Sequence, residues 1–400
     1  NMIQNIIMQI GPRLAIMLIN QLATLLTIPW LTWHLSPQLF GFVATALIVI
    51  QSGWVIIDWG GMNYSSEVWK SMHSKAIKNS FVTNLFISKL FLFAFYLSLI
   101  LLLIEFNFIN LPWSFFIAAI PATFFGGIFP LWFYHVIKKP GELVYVTLLS
   151  RLIFLLLVVF YVKKDADAEL YLQLFSITMF VITSYAIGHM VIKHHIRWED
   201  YQFIKSVNHI NTSASFFINS LTNNYIQTIW SLALALTGSP IIIGLYNIAE
   251  QCYRAGTSIT NAISQVIRLN SLNFSIIKTW QPIKFFGMLY FILAFILYFL
   301  AEPLVKNFFS IEFYDAIPII KIMILVWLLQ SLVRLINYPI LGKLIGILKV
   351  HRLNPIFILL HGICLASWLM FGGTVISMVL FLALASFLQL FIMFIFTLRK

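Results

Sequence analysis

Seven polar residues between positions 247 and 268 recur at helical spacing, and they include an acid and a base one helical turn apart. The residues are Asn247, Glu250, Arg254, Ser258, Asn261, Gln265 and Arg268. Steps of three and four positions place all of them on one face of a helix. If that helix crosses a membrane, this face must line a wet cavity or a protein interface, because a charge at mid-bilayer costs about 2.5–3.5 kcal/mol. The alternative is that Glu250 and Arg254 only neutralise each other and join helices.

Other apolar segments carry polar residues at similar spacing. The sets are Arg13, Asn20, Thr24 and Thr27; Gln51 and Asp58; Thr212, Ser215, Asn219 and Asn223; and Gln330, Arg334 and Asn337, with Arg151 in a further segment. Guanidinium groups bind phosphate oxygens bidentately, so a wet cavity framed by Arg254, Arg334 and Arg151 predicts a phosphate-bearing ligand. We also expect Asp58 and Glu250 to couple a proton or cation, because protonating a buried carboxylate changes the local charge. A fixed counter-ion to arginine is the alternative role for both acids.

Motifs for catalysis or for a resident metal are missing from the sequence. It contains no Walker A loop, dinucleotide-binding glycine pattern, nucleophile elbow, or metal-ligand spacing of His and Cys. The adjacent His194 and His195 are typical of a solvated turn, and we expect Lys89 and Lys321 to extend toward the membrane interface. We therefore predict a protein that is not an enzyme, with no metal site and no cofactor beyond a coupling proton or Na⁺.

Composition identifies the elements that must position these residues. Hydrophobic residues make up 61% of the 400 positions and charged residues only 10%, in apolar runs long enough to span a bilayer as helices. Breaks at charges, prolines and polar clusters predict twelve spans: 13–34, 39–61, 80–104, 112–136, 141–162, 170–193, 212–236, 241–268, 284–301, 316–340, 353–371 and 374–397. The chain is therefore predicted to be an all-α polytopic membrane protein.

The distribution of basic residues predicts the orientation of the spans. Seventeen Lys and Arg flank the connections that share a side with both termini, whereas three flank the opposite side. The positive-inside rule puts both termini in the cytoplasm, as an even number of spans requires. The net charge of +12 is thus spread over several loops without a basic face, which argues against nucleic acid and leaves the lipid bilayer as a partner.

A short internal duplication predicts two halves. The stretches "SPQLFG" at 36–41 and "SPIIIG" at 239–244 lie 203 positions apart, each between the first and second predicted spans of a six-span half. Parallel repeats with a pathway between them are a common transporter plan. We predict two six-helix lobes, 1–200 and 201–400, around a central cavity.

Three stretches resemble the polysaccharide and O-antigen flippases of the MOP superfamily. "VIIDWGGMNYSS" at 55–66 is similar to the Asp-aromatic-Gly signature that closes their second span. "IGLYNIAEQCYRA" at 243–255 resembles their Gly-x-Tyr-x-x-Ala pattern in span eight, and the segment 313–349 resembles their tenth span and the loop after it. The likeness extends over the whole chain in span number, halves and loop lengths, and it implies a MATE/MOP-like fold.

The resemblance implies an exporter that moves an undecaprenyl-pyrophosphate-linked oligosaccharide, the O-antigen repeat unit, between leaflets by alternating access. It implies a Gram-negative inner membrane, transport toward the periplasmic leaflet, and an O-antigen polymerase and chain-length regulator as partners. The residues expected to attract the pyrophosphate are Arg254, Arg334, Arg151 and Arg13. Those expected to hydrogen-bond the glycan are Asn20, Asn223, Asn247 and Asn261.

Two other functions remain open at this point. A cation-coupled multidrug exporter of the same superfamily has similar halves, but its usual cationic substrates favour an acid-dominated cavity. An integral-membrane O-antigen polymerase or glycosyltransferase needs a sizeable outer loop for its active site, and the outer connections predicted here are short.

Overall fold

The computed structural model describes residues 25–137, 139–199, 201–222, 226–271 and 276–398. Throughout these ranges the regular secondary structure is helical, without a strand. The predicted all-α membrane architecture is therefore confirmed. Within the same ranges, nine helices are long and apolar enough to cross a membrane. They correspond to nine of the twelve predicted spans, and the full count of twelve stays a prediction.

The helices are numbered in chain order. Residues 25–34 form α1, and the next eight helices are α2 (Pro37–Asp58), α3 (Gly61–Val68), α4 (Lys75–Glu105), α5 (Trp113–Ile128), α6 (Leu131–Val136), α7 (Val144–Tyr161), α8 (Ala168–Lys193) and α9 (Phe203–Ser220). The remainder are α10 (Ile226–Thr237), α11 (Pro240–Ser271), α12 (Ile276–Phe308), α13 (Ala316–Ile336), α14 (Gly342–Leu344), α15 (Ile347–Met370) and α16 (Val375–Leu398). The predicted span 212–236 corresponds to parts of α9 and α10, and the predicted span 241–268 lies within α11.

The chain forms two compact units. The first unit comprises residues 34–243, and the second comprises the described residues before 34 and after 243. The division into six-helix lobes at residues 1–200 and 201–400 stays a prediction.

Close packing in the first unit is centred on α5, which lies against α2 and α8. Glycines at the end of α5 make this approach possible: a Cβ on Gly126 would overlap the Trp54 indole, and one on Gly127 would overlap Ile57. The indole Nε1 of Trp54 also donates to the carbonyl of Ala122 at 2.9 Å. Trp54 is therefore fixed between helices, as part of the packed interior that positions the end of α2.

The two copies of the duplicated motif begin equivalent helices. Pro37 is the first residue of α2 and Pro240 is the first residue of α11, where the missing N–H of proline costs no hydrogen bond. The copies also meet, because a Cβ on Gly41 would overlap the carbonyl of Pro240. The glycine of the first copy thus permits a backbone contact with the second copy inside the first unit.

In the second unit, α13 is the central element and packs against α12 and α16. The side-chain amide hydrogens of Asn and Gln in membrane helices need acceptors. Those of Gln330 on α13 have acceptors on α16. Its Nε2 donates to Ser386 Oγ at 2.9 Å and to Gln389 Oε1 at 3.3 Å. Gln330, which the sequence placed on a polar stripe with Arg334, is therefore engaged in a buried contact between helices.

Candidate functional site

Glu250 and Arg254 form an ion pair within α11, as their spacing of four residues allows. Arg254 Nη2 lies 2.6 Å from Glu250 Oε1, and Arg254 Nε lies 2.9 Å from the same oxygen. The side chain of Glu250 is fully buried, whereas that of Arg254 is 18% exposed. The acid is thus enclosed, while its basic partner reaches the edge of the protein. Mutual neutralisation, one of the two predicted roles, is the arrangement present here.

Other members of the predicted stripe on α11 lie on both buried and half-buried parts of the helix. Asn247 is 1% exposed, and its Nδ2 has no hydrogen-bond partner among the described residues. Asn261 is half-buried. The side chains of Gln265 and Arg268, and the predicted ligands Arg13, Asn20 and Asn223, lie outside the described residues.

Arg334 lies near the end of α13, on the face that packs against α11. Trp327, two turns earlier on that face, covers Gly256 of α11 so closely that a Cβ there would overlap the indole. The Nε and Nη1 atoms of Arg334 are buried and have no hydrogen-bond partner within the described part of the chain. Buried guanidinium nitrogens without an acceptor favour an anion, since burying a donor without a partner is costly.

The backbone changes character directly after Arg334. Residues Asn337–Leu341 form a π-helical turn that contains Pro339. Proline lacks the N–H that a regular α-helix needs, and π-turns inside helices are often found at functional sites. The π-helical turn therefore lies one turn beyond the guanidinium of Arg334.

Asp58, predicted to couple an ion, lies at the end of α2 in the first unit and is paired with Lys89 of α4. Lys89 Nζ is 3.2 Å from Asp58 Oδ1 and donates to the carbonyl of Gly127 in α5 at 3.0 Å. Only 3% of the Lys89 side chain is exposed, so the expectation that it extends to the membrane interface is wrong. Lys321, expected to behave likewise, is partly exposed and contacts Glu302 at 3.2 Å.

Arg151 is buried on α7, where it faces α8. Its Nη2 lies 3.5 Å from the sulfur of Met179, and its guanidinium carbon lies 5.4 Å from the centre of the Phe175 ring. These contacts are a cation–π interaction and a weak hydrogen bond to a polarisable sulfur. The structure thus places Arg151 against α8 of the first unit, among apolar and aromatic neighbours.

The left-handed residues Trp59 (φ 45°) and Gly60 (φ 72°) end α2 and create a docking surface for α9. The Trp59 ring stacks on Phe217 with ring centres 4.1 Å apart, and a Cβ on Gly60 would overlap the backbone of α9. The Tyr64 hydroxyl is 2.8 Å from His209 Nδ1. His209 lies outside the candidate spans, and its burial, with the nearby charge of Lys205, lowers its pKa to about 4.

A second polar cluster lies where α6 and α8 end and α7 begins. Glu142 Oε2 is 2.8 Å from His194 Nε2 and 3.9 Å from His189 Nδ1. The side chains of both histidines are only 15% exposed. The prediction that His194 belongs to a solvated turn is therefore wrong, whereas His195 is exposed.

Sequence reasoning missed the residues whose partners are distant in the chain. Lys89 and Asp58 are separated by 31 positions, and His194 and Glu142 by 52. Neither spacing has a helical or strand periodicity. A charged residue within an apolar run, as at Lys89, is the available signal, since such a residue must find a partner within the protein.

Comparisons with known proteins agree with this architecture. Residues 10–267 match the family described as polysaccharide biosynthesis protein. No curated protein matches the sequence. The structure is similar to the lipid II flippase MurJ in an inward closed conformation, with a TM-score of 0.75, 13% identity, and coverage of 95% of this chain and 86% of that chain.

Two transporters of the MATE family are also similar in structure. An inward-facing multidrug resistance MATE transporter of the MOP superfamily gives a TM-score of 0.68 at 11% identity, with coverage of 98% of both chains. A variant of the Vibrio cholerae MATE transporter VcmN gives 0.55 at 11% identity, with coverage of 100% of this chain and 96% of that chain. At such identities the likeness concerns the fold. Because the family match spans more than half of the 400 residues, this chain belongs to the polysaccharide biosynthesis protein family, and its fold is similar to that of MurJ and the MATE transporters.

Proposed function

We propose that this protein is a flippase for a polyprenyl-pyrophosphate-linked oligosaccharide, in which the head group crosses the membrane while the lipid tail stays in hydrocarbon. In the finer form of the proposal, the substrate is an undecaprenyl-linked O-antigen unit that moves toward the periplasmic leaflet of a Gram-negative inner membrane. An O-antigen polymerase and a chain-length regulator are the expected partners. Family membership and the MurJ-like fold support a carrier of this class.

The observation that carries the proposal is the lack of acceptors for buried donors of Arg334. Two of its nitrogen atoms, Nε and Nη1, are buried without a hydrogen-bond partner in the described residues. A guanidinium presents a planar fork of donors that fits the oxygens of a phosphate. A pyrophosphate that reaches Arg334 would therefore supply the acceptors that these donors lack.

Arg254 has a different part in the proposed cycle, because two of its three nitrogen atoms already donate to a carboxylate. Its Nε and Nη2 both point to Glu250 Oε1. A proton or cation bound at Glu250 would weaken this pair and release the guanidinium for the pyrophosphate. The substrate and the Glu250 carboxylate would then compete for Arg254, which couples ion binding to substrate binding.

The test is a flipping assay in proteoliposomes that contain a fluorescent lipid-linked oligosaccharide. Arg334→Ala should reduce the initial rate at least tenfold, and Arg334→Lys should restore part of it, because lysine keeps the charge but loses the bidentate geometry. Arg197→Ala is a matched control, since Arg197 is exposed in the loop after α8. Its rate should equal that of the unmodified protein.

Two results would contradict the proposal. One is an undiminished rate with Arg334→Ala in protein that is inserted and monodisperse. The other is transport of cationic dyes, together with no transport of the lipid-linked oligosaccharide, which would favour the multidrug exporter.

A further inference from the structure

The cluster of Glu142, His189 and His194 joins three elements of the first unit. Glu142 lies in the short 3-10 helix Pro140–Leu143, immediately before α7. His189 lies in the last two turns of α8, and His194 directly follows that helix. The cluster therefore links the start of α7 to the end of α8, and none of its side chains has a part in the proposed transport cycle.

The two oxygens of the Glu142 carboxylate face different partners. Oε1 is 2.9 Å from Lys193 Nζ and 3.9 Å from Lys139 Nζ. Oε2 faces the two imidazoles, at 2.8 Å from His194 Nε2 and 3.9 Å from His189 Nδ1. The lysines thus occupy one side of the carboxylate and leave the other side to the histidines.

The ligand atoms are close enough together to surround one small cation. One atom from each of the three side chains lies within 4.8 Å of the other two. Ligands about 2.0–2.1 Å from a tetrahedral metal are about 3.3 Å from one another. The two measured separations from Oε2, 2.8 and 3.9 Å, bracket this value. The third separation is within 4.8 Å, so side-chain adjustments of up to about 1.5 Å would form the three-ligand arrangement.

The rings are held in place by neighbouring aromatic residues. The Tyr134 hydroxyl donates to the carbonyl of Ala186 at 2.7 Å and lies 3.0 Å from His189 Nδ1. The ring of Tyr185 stacks on His189 with centres 5.7 Å apart, and Phe133 packs against His194 at 5.4 Å. The ring contacts orient the imidazoles for metal binding, whereas the Tyr134 hydroxyl faces the same Nδ1 atom of His189 that faces Glu142 and would have to release it to a metal.

We propose that Glu142, His189 and His194 form a binding site for a divalent transition-metal ion of the Zn²⁺, Co²⁺ and Ni²⁺ class. Two imidazoles and one carboxylate are a ligand set that suits these ions, and three protein ligands leave a fourth position for water. Bound metal would tie α7 to α8. Lys193, paired with the same carboxylate, would compete electrostatically with the metal.

The experiment measures Zn²⁺ binding to the full chain in detergent micelles by calorimetry, with Co²⁺ absorption as a second readout. The unmodified protein should bind one ion and give the visible bands of tetrahedral Co²⁺. His194→Gln and Glu142→Gln should weaken binding at least tenfold. His195→Asn is the matched control, because His195 is adjacent but exposed and has a left-handed φ of 53°, which asparagine tolerates.

Lys193→Gln gives an independent outcome, because it removes the competing ammonium without removing a ligand. It should strengthen Zn²⁺ binding severalfold, even if a ligand variant fails to fold. The proposal is overturned if the unmodified chain binds no stoichiometric metal, if His195→Asn loses as much affinity as His194→Gln, or if Lys193→Gln weakens binding.

Discussion

The two units each contain an acid–base pair with one buried member, Lys89 in the first and Glu250 in the second, but the pairs are built differently. In the first unit, Lys89 of α4 joins Asp58 at the end of α2 to a carbonyl of α5, so one ammonium connects three helices. In the second unit, Glu250 and Arg254 lie one turn apart on the same helix, α11. The first pair therefore joins separate helices, whereas the contact between Glu250 and Arg254 is made within one helix.

This difference changes the interpretation of the two predicted ion-coupling acids. Breaking the Asp58–Lys89 pair would leave charges and a carbonyl unsatisfied at the meeting point of α2, α4 and α5. Breaking the Glu250–Arg254 pair would release a guanidinium that is already partly exposed. We therefore assign the proposed coupling role to Glu250 and a structural role to Asp58.

The largest expected effect comes from Lys89→Met. It leaves the half-buried Asp58 carboxylate and the Gly127 carbonyl without the ammonium that joins them, and breaking a partly buried pair in this way costs up to about 3 kcal/mol. Thermal unfolding followed by size exclusion in detergent should show a clear loss of stability. Lys75→Met, at the exposed start of the same helix, should change the free energy of unfolding by less than about 0.5 kcal/mol.

The double variant Asp58→Asn/Lys89→Met tests whether the loss of stability comes from the unpaired charge. It removes both charges, so it should recover a large part of the stability lost in Lys89→Met. A double variant as unstable as the single one would show that the pair is not what joins the three helices.

The contrast between the pairs also shows what the sequence could predict. Glu250 and Arg254 were identified from their spacing, because a helix determines which residues four positions apart are neighbours. The helical membrane fold followed from composition, since only helices satisfy the backbone in long apolar runs. The Asp58–Lys89 pair was not predicted, because it depends on how α2, α4 and α5 pack, and this packing depends on Gly126 and Gly127 at their contact.

An intermediate effect is expected at the contact between Tyr64 and His209, which also joins elements of the first unit. Burial lowers the pKa of His209 to about 4, from 6.5. Between these two values, the undocked α9 would bind a proton at His209 that the docked helix does not bind, so docking weakens as the pH falls through this window. Lys205 and Glu199 line the same pocket, and Lys205 adds to the repulsion of a second positive charge.

Hydrogen exchange of α9 peptides measures this effect. In the unmodified protein, protection of α9, corrected for the intrinsic exchange rate, should decrease between pH 6.5 and pH 5. His209→Gln keeps a hydrogen-bonding group for Tyr64 but has no charge to gain, so its protection should stay level. Equal pH dependence in both proteins would assign the change to another group.

The smallest effect on stability is expected for Glu250→Gln, which tests the Glu250–Arg254 pair of the second unit. Glutamine keeps an oxygen that can accept from Arg254, and the guanidinium can turn toward solvent, so the loss of folding free energy should stay below about 1 kcal/mol.

Transport by Glu250→Gln should change more than its stability does. Because Arg254 is no longer neutralised, the variant should bind the lipid-linked pyrophosphate more tightly, and its flipping rate should lose its dependence on an imposed proton or Na⁺ gradient. A Glu250→Gln protein that unfolds as readily as Lys89→Met would show that both pairs are structural, and coupling would then have to be assigned to other groups.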